Sequence, residues 1–107
     1  MTNDAILKQL DYTVTKSALA QVEKVKNNTH GFDYVEKHLI TFHDQLKAHL
    51  SYVALSSTKD FFKIKNDAKG EEMIKEVNDM VSHWSKKFKI ALEKVDDKHT
   101  YYILGYK

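Results

Sequence analysis

The class of this protein turns on how one stretch is read: Phe88-Lys89-Ile90-Ala91-Leu92-Glu93-Lys94-Val95-Asp96-Asp97-Lys98-His99-Thr100-Tyr101-Tyr102-Ile103-Leu104-Gly105-Tyr106. Its second half, from Thr100, is rich in aromatic and β-branched residues and reads as a strand, which needs a partner. Its first half continues a stripe at three- and four-residue spacing: Met73 or Ile74, Val77, Met80 or Val81, Trp84, Phe88, Ala91 or Leu92, and Val95. That is the strongest helical periodicity in the chain. A hairpin of Phe88 to Val95 with the tail would break the periodicity early, so a helix from about Glu71 to Val95 ranks first and the hairpin second. The tail then lies extended along a helical bundle, or pairs with the same segment of a second copy to make a homodimer.

Upstream, Leu7, Leu10, Val14, Ala18, Gln21 and Val25 share one stripe, which predicts a helix from about Asp4 to Lys26 capped by Thr2 or Asn3. The turn residues Asn27 to Gly31 end it. Asp33 with Glu36 forms a capping-box pattern, and Val35, Leu39, Phe42, Leu46, His49 or Leu50, and Val53 continue on one face. Ser57-Thr58-Lys59-Asp60 resembles a second capping box, leaving Phe61, Phe62 and Ile64 in a short separate helix or a bent continuation. Proline is absent and there are three glycines, so little interrupts long helices. The expectation is one mainly all-α domain over 1–107, an antiparallel three- or four-helix bundle. Its helices fall at about 4–26, 33–56 and 71–95, with 58–66 as the optional fourth, and a strand-like tail covers 98–107.

Composition narrows function by exclusion. With no cysteine, disulfide frameworks, Cys-ligated metal and thiol nucleophiles are out. The N-terminus lacks a basic-then-apolar leader and no apolar run approaches the ~18 residues that span a bilayer, so a cytoplasmic protein is expected. A net charge of +2 is too small for a dedicated nucleic-acid binder. Lys59, Lys63, Lys65 and Lys69, beside Phe61 and Phe62, keep weak single-strand binding as a third-ranked reading. No Gly-x-Ser-x-Gly or glycine-rich phosphate loop occurs, and no enzymatic activity or cofactor is expected.

Six histidines prompt a metal reading, yet no two are three or four residues apart. Glu72, Glu76, Asp79 and His83 do share a stripe, which makes Glu76, Asp79 and His83 the alternative metal set, joined by His38 or His49. The leading expectation is a small interaction protein of regulator, adaptor, immunity or inhibitor type. Its partner-binding residues are Tyr12, Leu19, Tyr34, Tyr52, Tyr101, Tyr102 and Tyr106, because tyrosines outside the core stripes suit a surface that buries aromatic anchors.

Overall fold

In the computed structural model, which describes residues 1–107, the long C-terminal helix stops at Phe88. The elements run α1 (Asn3–Gln9), α2 (Lys16–Asn28), α3 (Phe32–Lys47), β1 (Tyr52–Leu55), β2 (Phe62–Lys65), α4 (Glu71–Phe88), β3 (Ile90–Lys94) and β4 (Thr100–Tyr106). The expected all-α bundle is thereby corrected to a mixed fold, half helix and a fifth strand.

Each long helix expected from the sequence stops early at a left-handed residue. The first splits in two: Asp11 enters the left-handed region (φ 66°) after α1, and Thr15 caps a new helix by accepting the Ala18 amide. Between them, Tyr12-Thr13-Val14-Thr15 is a run of aromatic and β-branched residues that disfavours helix. The second stops at Lys47; Leu50 is left-handed (φ 59°) and Tyr52–Leu55 becomes strand. α3 begins at Phe32 behind a left-handed Gly31, so Asp33 is no cap, and Glu36 instead pairs with the Met1 amino group at 3.1 Å. The third helix ends where Lys89 turns left-handed and Ser85 Oγ donates to the Ile90 carbonyl at 2.6 Å. The second-ranked hairpin is the one that forms, as β3 and β4.

The sheet has the order β1-β2-β4-β3 with every neighbour antiparallel. The C-terminal strand is therefore interior to the sheet, and neither an extended tail nor a tail swapped into a second copy describes it. The 58–66 segment, the optional fourth helix, is a turn and a strand: Ser56 Oγ accepts the amides of Thr58 and Lys59 at 3.2 Å, and Phe62-Lys63-Ile64-Lys65 alternates buried with half-buried. A bulge sits where Ala91 pairs with Gly105 and Leu92 with Ile103. There Gly105 (φ 139°) runs beside His30, and a Cβ would fall 2.6 Å from the His30 carbonyl oxygen.

By register and pleat, Val53, Leu55, Phe62, Ile64, Tyr101, Ile103 and Leu92 share one sheet face. The helices cover that face with Ile6 and Leu7 of α1, Val22 and Val25 of α2, Val35, Leu39, Phe42 and Leu46 of α3, and Val77, Val81 and Trp84 of α4. Phe42 and Trp84 stack in parallel at 4.6 Å, worth about 1 kcal/mol beyond the area they bury. No helix is long and apolar enough to cross a membrane.

Candidate binding face

Every strand residue of the hydrophobic core, or packed against it, belongs to the helix-covered face of the sheet. The opposite face has no helical layer. Two cross-strand rows cross it: Tyr52, Lys65 and Thr100; and Ala54, Lys63, Tyr102 and Glu93. The β1–β2 loop adds Lys59 and Phe61. Lys59 Nζ lies 5.1 Å from the Tyr102 ring centroid and 3.6 Å from the Glu93 carboxylate, and the Phe61 ring is 6.3 Å from that of Tyr102. Asp60, the acid within this loop, is tied to α2: its carboxylate accepts from Gln21 at 3.3 Å and its carbonyl from Asn28 at 3.0 Å.

The electrostatics follow from that sorting. Hydrogen bonds from the hydroxyls of Thr58 and Ser56, helped by the charges of Lys59 and Lys63, hold the Tyr102 phenol below its ordinary value. Tyr52, at the other edge, is pushed up by burial and by the nearby Asp67 carboxylate. The centre of the face thus carries Lys59, Lys63 and Lys65 against Glu93, set around aromatic carbon. Such a surface attracts anionic groups and offers rings for their apolar parts.

Of the seven residues expected to bind a partner, the fold brings Tyr52 and Tyr102 onto this face. The Tyr12 hydroxyl accepts the Leu55 amide at 2.8 Å, at the free edge of β1. Leu19 packs on the core. Tyr34 donates to the Phe88 carbonyl at 2.7 Å, and Tyr101 to Asn78 Oδ1 at 2.8 Å. Tyr106 is 38% exposed and meets Tyr34 edge-on at 4.6 Å, on the far side of the bulge. Sequence reasoning did not connect Lys63 and Lys65 with Tyr102; the alternation of residues 62–65 was the available signal.

Glu76, Asp79 and His83 gather around one shallow depression on α4, where Lys75 takes the Asp79 carboxylate at 2.8 Å. His38 stacks on Phe88 at 3.9 Å, and burial lowers its pKa. No three His, Asp or Glu side chains converge as metal ligands.

The histidine that most resembles a catalytic base is His43, which is buried and 2.9 Å from Asp11. Its Nδ1 accepts the Val53 amide at 3.0 Å, so the proton sits on Nε2 and is donated to Asp11 Oδ2, which Lys47 also reaches at 3.0 Å. Both ring nitrogens are used, leaving none for proton transfer. The Val53 and Leu55 amides, on the open side of β1, are thereby capped by His43 and Tyr12, which blunts that edge against strand addition. Protein-family models, curated proteins and solved structures contain no match to this chain.

Proposed function

We propose that this is a non-enzymatic, cytoplasmic binding protein that works by docking an acidic protein segment on the uncovered face of its sheet. The observation that carries the reading is the row Ala54, Lys63, Tyr102 and Glu93, with Lys59 laid over Tyr102, on a face no helix covers. Carboxylates of the partner meet Lys63 and Lys65 and compete with Glu93 for Lys59, while Phe61, Tyr52 and Tyr102 supply anchoring rings. The closed hydrogen-bond set of His43 supports binding rather than catalysis.

A photo-crosslinking residue at Phe61, which is partly exposed beside Tyr102, captures the partner in cells, and Lys63→Glu with Lys65→Glu abolishes that capture. The pair Lys86→Glu and Lys87→Glu, on α4, leaves it intact. Capture unaffected by charge reversal at 63 and 65 contradicts the proposal.

A second reading, single-stranded nucleic acid, draws on the same interleaving of lysine and ring. It ranks lower because Lys59 already occupies the Tyr102 ring face on which a base would stack. Oligo-dT binding at low salt, falling steeply as salt rises, would reverse the order.

A further inference from the structure

At the free edge of β1, bordered by Tyr52 and Ala54 of the uncovered face, opens a cavity of about 520 Å³. Leu10, Tyr12, Leu50, Tyr52, Val53 and Ala54 line it, with Asp11, His43, Lys47 and Ser51 as its polar wall. That volume and that mixture suit a small ligand.

Two helix ends meet at this cavity, and both are built at a cost. α1 ends with the Tyr12 amide bonded to the Leu7 carbonyl (2.9 Å) and the Asp11 amide to Lys8 (3.1 Å); α3 ends with Ser51 to Leu46 (3.0 Å) and Leu50 to Lys47 (3.2 Å). Each pair is a Schellman motif, whose left-handed residue is ordinarily glycine. Here those residues are Asp11 (φ 66°) and Leu50 (φ 59°). Asp11 has an internal reason, since it holds His43 and Lys47. Leu50 is a bulky side chain in a strained conformation, 55% exposed, at the rim of the cavity.

We propose that the cavity binds a hydrophobic α-amino acid, its side chain against Leu10, Leu50 and Ala54 and its zwitterionic head across the Asp11–Lys47 pair. The head-group assignment follows from charge. Lys47 reaches Asp11 Oδ2 alone, at 3.0 Å, which leaves ammonium protons for a carboxylate. Asp11 Oδ2 takes both His43 and Lys47, and no protein donor occupies Oδ1, which can accept an ammonium. A ligand with one charge satisfies half of this pair; a zwitterion satisfies both.

The test is an NMR titration of the full chain with L-phenylalanine, 3-phenylpropionate, phenethylamine and glycine. L-Phenylalanine is expected to give saturable shifts at Asp11, Leu50 and Tyr52, with each single-charge analogue and glycine weaker by about tenfold or more. Leu50→Gly removes the apolar rim and the strain together, so it should weaken L-phenylalanine by about tenfold while the melting temperature holds or rises. Lys47→Met, which leaves the Leu50 rim in place, should weaken it comparably. No saturable shift with L-phenylalanine, or unchanged affinity in Leu50→Gly, overturns the site; an analogue binding as well as L-phenylalanine overturns the zwitterionic head. Tyr52 and Ala54 border both sites, but Leu50 and Lys47 lie off the sheet rows, so the effect of their variants on L-phenylalanine is read independently of the Lys63→Glu, Lys65→Glu test of the sheet face.

Discussion

At the scale of single residues, the clearest physics lies in polar groups that the fold has buried or paired. Thr29 is 5% exposed and its Oγ1 has no hydrogen-bond partner, while its backbone (φ −102°, ψ 112°) is extended and suits a β-branched residue. Thr29→Val, which keeps the shape and removes the orphaned hydroxyl, should raise stability by about 1 kcal/mol, measurable by urea denaturation. Asp11 gives the pH dependence. Hydrogen bonds from His43 and then Lys47 hold its carboxyl below the ordinary value, so its contribution is present above the unfolded value, near pH 4, and is lost as pH falls through the folded one. Asp11→Asn should flatten the stability curve below about pH 4. It does not abolish the slope, because Asp4, held down by the Thr2 hydroxyl, contributes in the same sense.

At the scale of elements, what separates the sequence reading from the fold is where helices stop. Residues 88, 92 and 95 fall on a helical stripe, but 90 and 92 also fall on a strand alternation, and periodicity alone cannot arbitrate over so short a run. The deciding interactions are non-local: β4 places Ile103 and Tyr101 opposite Leu92 and Lys94, and a lone β4 would leave its backbone groups unpaired. Asp11, Leu50 and Lys89 end helices in a conformation that sequence patterns assign to glycine or asparagine, so these stops carry no compositional mark. The legible parts were local ones: Thr2 as a cap, the turn before Gly31, the start of α4 near Glu71 and the strand character of Thr100 onward. Gly105 fixes the bulge that turns Tyr106 toward Tyr34. Gly105→Ala drives a Cβ into the His30 backbone at a φ that L residues avoid, and should lower the melting temperature by well over ten degrees, read by thermal unfolding.

At the scale of the whole molecule, the consequential asymmetry is that four helices lie against one side of a four-stranded sheet. In a bundle every apolar stripe faces another helix, whereas a two-layer α+β fold leaves one sheet face to water or to a partner. The sequence showed the lysines of 59–65 and the tyrosines as separate features, because only the β2–β4 pairing places Lys63 beside Tyr102. The candidate face was thus present in composition and illegible in position. The proposed docking surface stands on that pairing.

The docking role of the uncovered face is tested most directly by an NMR titration of the uniformly labelled chain with poly-L-glutamate at low ionic strength, where surface charge is least screened. Shifts should concentrate at Lys59, Lys63, Lys65 and Tyr102 and be lost in the Lys63→Glu, Lys65→Glu variant. Shifts concentrated instead at Lys86, Lys87 and the rest of α4, or none at all on the sheet, would contradict that role.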